Sequence, residues 1–250
     1  MPGILSLVHE KGTLDVPDSA LIVGVDDTGN DLFADERHPV FGLGGCAVLA
    51  RDYFRYLDDP WCYMKDSYFG GRNQKLHASD LKNPTAEQLH ALDHFFTRFP
   101  FFRFAVMAAE TLKNETLETN IHLVSFCVLE RVAEFAKWSQ PTEIIFIIER
   151  SQRIERDLLK HFSAYRFGNC EIEIRPRVLL ASKEVCGSPV EVADFVIQSA
   201  GAQVRNRLRG FAGIENIARK DFAAVFNKVD SKLVSYVELL SAKEKQANAP

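Results

Sequence analysis

Carboxylates at the ends of apolar runs are the residues of this chain whose types and spacing can do chemistry. Leu21-Ile-Val-Gly-Val25 leads directly into Asp26 and Asp27, and Thr28-Gly29-Asn30 then supplies turn residues. The run is aliphatic apart from Gly24, the pattern of a strand buried on both faces. A carboxylate buried there without a partner is costly or neutralises itself. Two of them make sense if a cation sits between them and further partners at the carboxyl end of the strand, where open α/β sheets bind ligands. The other reading makes Asp26 and Asp27 caps of the following turn. Glu143-Ile-Ile-Phe-Ile-Ile-Glu149 is another buried run ending in a carboxylate, with an ion pair to Arg150 or Arg153 as its alternative role. Asp194 stands beside a helical packing stripe of Ala193, Val196, Ala200 and Val204. There it is either a ligand turned to the sheet edge or a favourable charge near a helix N-terminus.

The elements that must position these residues follow from pattern. Residues 40–50, with Gly42, Gly44 and Gly45, read as a second strand that allows close backbone approach. Residues 51–59 suit a short helix, and 61–82 sustain no period. A helix is predicted from Asn83-Pro84 to about Arg98, followed by a third strand over 101–109. Leu117, Ile121, Val124, Val128, Val132 and Phe135 recur at spacings of four and three, one apolar helical stripe. After the strand ending at Glu149, a polar helix over 151–165 ends at Gly168-Asn169, and a fifth strand covers 171–181. Ser188-Pro-Val-Glu191 carries the signature of a capping box and marks the start of a helix running to about Arg209. Two more short helices are predicted between 213 and 242.

The chain thus divides into a polar lead-in (1–19), one α/β domain (20–209, with an insertion at about 51–99) and a C-terminal helical extension (210–250). Its predicted sheet is mixed and five-stranded, flanked by helices. Three strands form a meander, and two strand–helix–strand units add parallel strands by right-handed crossovers. This is the layout of ribonuclease-H-like domains.

Composition narrows the function classes. The 250 residues, 46% hydrophobic and 26% charged, are those of an ordinary globular protein. A net charge of -4 excludes coating of nucleic acid by bulk electrostatics, so any nucleic-acid contact must use a local basic surface. The first ten residues lack the basic and long apolar regions of a signal peptide, and no segment has the length of a membrane span. Five scattered cysteines without a Cys-x-x-Cys read as buried thiols in a reducing cytoplasm.

Four motifs carry a resemblance: Asp26-Asp-Thr-Gly29 after a strand, Phe41-Gly-Leu-Gly-Gly45, Leu76-His-Ala-Ser-Asp-Leu81, and Val192-Ala-Asp-Phe-Val196 on a late helix. In this order, over about residues 20–208, the chain resembles the family called domain of unknown function 3800. That family is usually written with Asp-Glu-Ser-Gly and a Leu-Ala-Asp helix. Here Asp27-Thr28 replaces Glu-Ser, Val192 replaces leucine, and Glu149 stands where aspartate is more common. The resemblance implies a ribonuclease-H-like fold and a divalent-metal site, with Asp26, Glu149 and Asp194 as ligands of Mg²⁺ or Mn²⁺ and Asp27 as a fourth candidate. Hard cations of this kind take oxygen ligands, and a pair of them can activate water against a phosphodiester.

The implied activity is metal-dependent hydrolysis of nucleic acid by a cytoplasmic nuclease. Its rivals are an inactive ribonuclease-H-like binding or accessory module and a hydrolase of a small phosphate compound. His77 reads either as a proton shuttle or substrate contact over the sheet edge, or as a surface histidine. Asp80 reads as a substrate contact or a helix cap. Arg205, Arg207 and Arg209 end the Asp194 helix, and Arg150, Arg153 and Arg156 follow Glu149. Either cluster suits phosphate positioning, or is helix-end charge on a solvated face. Glu118 and His122, one turn apart, read as a solvated ion pair, and Glu130 as an outlying catalytic candidate.

Overall fold

A computed structural model describes residues 4–9, 12–31, 40–109, 117–169, 172–182, 187–211 and 235–239. Its elements are β1 (Ile4–His9), β2 (Gly12–Pro17), β3 (Leu21–Gly29), β4 (Val40–Leu49), α1 (Asp59–Tyr68), α2 (Ala86–Arg98), β5 (Phe102–Ala109), α3 (Leu117–Ser139), β6 (Ile144–Glu149), α4 (Glu155–Ala164), β7 (Phe167–Asn169), β8 (Ile172–Ile174), β9 (Arg177–Ala181), α5 (Ser188–Phe211) and β10 (Ser235–Leu239).

The main sheet has the order β10-β5-β4-β3-β6-β9. β3, β4 and β5 form the antiparallel meander, and β6 and β9 add in parallel beyond β3. The result is an α/β fold with an open mixed sheet between helices. β3 is its hydrophobic centre, with Leu21, Ile22, Val23 and Val25 all buried. The period of two divides this strand between two cores. Leu21, Val23 and Val25 pack with Ile121, Val124, Val128 and Val132 of α3 and with Leu158 and Phe162 of α4. Ile22 joins Trp61 of α1, Phe95 and Phe96 of α2, and Val192, Phe195 and Val196 of α5.

Five segments depart from the sequence-based expectations, the first being α1, whose Asp59–Tyr68 forms a helix where residues 61–82 sustain no period. The polar lead-in is an antiparallel hairpin of β1 and β2, anchored by Leu5, Leu7 and Val16 in the α5-side core. The fifth strand is interrupted: Ile172–Ile174 turns back on Phe167–Asn169 as a small separate hairpin, and only Arg177–Ala181 enters the main sheet. Gly168-Asn169 therefore lies in a strand, the helix before it having ended at Ala164. Within the predicted C-terminal helices, Ser235–Leu239 is a sixth strand parallel to β5, while residues 212–234 and 240–250 lie outside the described residues. The helix expected from Asn83-Pro84 starts at Ala86, where Thr85 and Gln88 make the reciprocal capping box.

Candidate functional site

Strand alternation sends the two adjacent aspartates to opposite faces. Asp26 shares the α5 side with Ile22 and pairs in register with Gly44 of β4. Glu149 follows Ile145 and Ile147 on the same side of β6. The parallel register reaches Val25↔Ile148, so Asp26 and Glu149 are neighbours one step further on. Asp194 arrives from α5, which crosses this face. All three carboxylates are buried, with 7%, 7% and 5% of their surfaces exposed. Burial pushes the proton affinity of Asp26 well above the usual carboxylate range, and the charges of Glu149, Asp194 and then Asp27 push it further. The backbone N–H of Asp27, 2.8 Å from Asp26 Oδ1, opposes this.

The approach of α5 is set by small residues below it and polar anchors around it. A Cβ at Gly24 would overlap the carbonyl of Pro189, so the helix start lies directly on the β3 backbone. At Gly44 a Cβ would come 3.0 Å from Ile197 Cδ1. Cys46 Sγ donates to Pro189 O at 3.3 Å, and burial pushes that thiol up to about 12. The insertion supplies the remaining anchors. Ser188 Oγ donates to Asp58 Oδ1 at 2.7 Å, and Glu191 Oε2 accepts from Trp61 Nε1 at 2.6 Å and from Lys65 Nζ at 2.7 Å. Glu191 therefore does not reach back to cap its own helix as the Ser-Pro-Val-Glu pattern predicts. It forms a buried ion pair with α1 instead.

Asp194 is held one turn further along. Its Oδ2 accepts from the backbone N–H of Ala78 at 2.8 Å and lies 3.5 Å from His77 Nδ1. The segment of 61–82 without period thus folds over the sheet edge and delivers His77 to the carboxylates. Asp80 sits exposed on the adjoining 3₁₀ turn (Ala78–Asp80). Gly201, two turns beyond Asp194, separates Thr28 from Arg205: a Cβ there would come 3.1 Å from Thr28 Cγ2 and from the Arg205 guanidinium. The side chain of Arg209 lies outside the described residues.

Asp27 belongs to a different arrangement. Arg153 donates to its Oδ2 at 3.0 Å and to Gly29 O at 3.4 Å, and the same guanidinium pairs with the buried Asp31. Asn120 of α3 approaches the Asp31 carbonyl at 3.4 Å. Arg150 pairs with Glu155 at 3.6 Å and Arg153 with Asp27 at 3.0 Å. Glu130 accepts from Tyr165 Oη on the α3–β7 side, away from the three carboxylates. His122 Nδ1 lies 3.2 Å from His161 Nδ1, and the side chain of Glu118, its expected partner, lies outside the described residues.

Sequence reasoning missed Lys65, Trp61, Glu191 and Asp31. The signal for the first two was a helical face of Trp61, Met64 and Lys65 at spacings of three and one, an ammonium beside apolar side chains. For Asp31 there was none, since a turn aspartate is ordinary.

Among the described residues, no three His, Cys, Asp or Glu side chains stand grouped closely enough to hold a metal ion. The three carboxylates form an electrostatic cluster, mutually repelling, and their oxygens are the donor type that hard divalent cations prefer. Among the described residues no helix is long and apolar enough to cross a membrane. Compared with protein-family models, curated proteins and solved structures, the chain gives no match.

Proposed function

We propose that this is a ribonuclease-H-like protein, similar to the domain of unknown function 3800 family, that hydrolyses phosphodiester bonds of nucleic acid with Mg²⁺ or Mn²⁺. The observation that carries the reading is the raised proton affinity of Asp26, caused by burial and then by carboxylates brought from β6 and α5. Such an arrangement destabilises the metal-free fold at neutral pH and becomes favourable when a cation neutralises it. The strand order of the meander and its two parallel additions supports the fold assignment.

In this reading Asp26, Glu149 and Asp194 hold the metal. When bound, it supplies Lewis-acid stabilisation of phosphate oxygens and lowers the pKa of water. The remaining roles belong to the chain. The Ala78 N–H orients Asp194, leaving its carboxylate little rotational freedom. His77, 3.5 Å from Asp194, is the proton shuttle of this reading. Arg205, near Thr28 on the face that carries Asp26, positions a phosphate. Asp27 serves the scaffold through Arg153.

The test is cleavage of RNA, DNA and hybrid substrates by purified protein with Mg²⁺, Mn²⁺ or EDTA. Cleavage should require the cation and disappear in Asp26→Asn and Asp194→Asn, while much of the binding to nucleic acid survives. Affinity should fall with rising salt, and Arg205→Ala should flatten that slope. Binding without metal-dependent cleavage would favour the accessory-module reading. No binding at low salt, with hydrolysis of small phosphate esters, would favour the small-substrate one.

A further inference from the structure

The two helices of the insertion, α1 and α2, pack together without closing, and an open groove of about 240 Å³ runs between them. Met64 and Phe95 form its floor, and both belong to the α5-side core. Tyr63 and Tyr68 of α1 and His90 and His94 of α2 line its sides, all four of them exposed. Among the described residues no Asp, Glu, Lys or Arg lines it. Rings gathered at the surface in this way mark a binding site more often than a chance patch.

Size and chemistry define the occupant. Pockets for drug-sized ligands measure about 300–1,000 Å³, so this smaller one suits a single planar ring system. Tyrosine and histidine rings stack on such a ring, while hydroxyl oxygens and imidazole nitrogens hydrogen-bond its edge without demanding a charge. A cation stands beside the groove: exposed Arg98 follows His94 by one turn of α2, the spacing that shares a helix face. An uncharged ring with polar edges, joined to a phosphate, is a nucleotide. We propose that the α1–α2 groove is a base-stacking subsite for single-stranded nucleic acid, with Arg98 on the adjoining phosphate. A duplex keeps its bases stacked on one another, so the groove selects single strand, an assignment that rests on the nucleic-acid reading above. Position supports it. Trp61 contacts Phe95 of the groove floor and Phe195, the neighbour of Asp194, at ring-centroid distances of 4.9 and 5.4 Å. Two ring contacts thus separate the groove from the helix turn that carries Asp194.

The experiment is fluorescence anisotropy in EDTA with a labelled single-stranded oligonucleotide, an abasic strand carrying the same phosphates, and the matching duplex. Wild type should bind the single strand more tightly than either of the others. Tyr63, 72% exposed, can be replaced without disturbing the core. Tyr63→Ala and His94→Ala should each weaken single-strand binding by about 5–150-fold, the equivalent of about 1–3 kcal/mol per stacked base. Tyr63→Phe, which keeps the ring, should bind like wild type, as should Trp138→Ala, which removes an exposed ring from α3. Tyr63→Ala should also lose most of the discrimination against the abasic strand, and Arg98→Ala should flatten the salt dependence. Equal binding by wild type, Tyr63→Ala and His94→Ala, or duplex binding as tight as single-strand binding, overturns the proposal. Failure to bind any nucleic acid also overturns it and leaves the groove to an acidic aromatic peptide. Cleavage with Mg²⁺, assayed alongside, separates the subsite from the reading it rests on. A wild type that cleaves, with binding unchanged in Tyr63→Ala, loses the subsite and keeps the nuclease. Groove-dependent binding without cleavage keeps the subsite and loses the nuclease.

Discussion

Asp26 and Asp27 are chemically identical neighbours with opposite surroundings, and the two faces of β3 make the difference. Asp27 is on the α3–α4 side, where Arg153 bridges it to Asp31 and Gly29. Asp26 points to the α5 side, where burial and the negative charges of Glu149 and Asp194 raise its proton affinity. One face neutralises its acids with a guanidinium supplied from the loop after β6. The other gathers acids from three elements that are far apart in the chain, at residues 26, 149 and 194. Yet the α5 face is not careless of charge: one turn before Asp194, Glu191 has its own buried ammonium from Lys65. The contrast teaches that two acids side by side at one strand end can be set apart by the strand's faces alone, one beside a guanidinium and the other among carboxylates.

The largest effect should come from Lys65→Met. It strands Glu191 as a buried charge, and breaking a buried pair this way costs about 3–5 kcal/mol. The double variant Lys65→Met, Glu191→Gln should recover most of it, as measured by urea denaturation. On the other face, Arg153→Leu removes charged hydrogen bonds worth about 1.5–3 kcal/mol, and Asp31→Asn in that background should restore part of the loss. If Arg153→Leu were silent, Asp27 would not differ from Asp26 in the way described.

Gly24→Ala probes the seat of α5. The added methyl meets the Pro189 carbonyl, and overpacking of this kind costs about 1–3 kcal/mol. Because the helix must move to relieve it, metal response should fall along with melting temperature.

The smallest stability change, and the one of opposite sign, belongs to Asp26→Asn. The folded proton affinity of Asp26 lies above the unfolded one, so its contribution is favourable below the unfolded pKa of about 3.9 and is lost as pH rises through the folded value. In EDTA the variant should therefore match wild type at acid pH and become the more stable of the two toward pH 8. Thermal melts across that range check it. A variant less stable than wild type at pH 8 would make Asp26 a structural cap.

Much of this was legible in the sequence because it depends on local periodicity. The aliphatic runs ending at Asp26 and Glu149, the α3 stripe and the start of α5 at Ser188 were all read within a few residues. The hairpin of β1 and β2 was missed because Ile4-Leu-Ser-Leu-Val8 breaks the alternation with a single serine, and six-residue strands with exposed partners carry a weak pattern. β10 was missed for another reason. Its pairing with β5 joins segments more than a hundred residues apart, which local helix propensity cannot anticipate. Glu191 shows the same limit at a single residue: its spacing from Ser188 matches a capping box, but a buried ammonium outcompetes a backbone N–H for its carboxylate.

The chain contains two tryptophans, and the fold gives them opposite optical environments. Trp61 is wholly buried, its indole N–H bonded to Glu191, against Phe95 and Phe195. Trp138, near the end of α3, is 82% exposed. Iodide should quench the red-shifted emission of Trp138 and spare the blue component of Trp61. What remains under iodide is an intrinsic fluorescent signal from one turn before Asp194, reporting on the seating of α5 without a label.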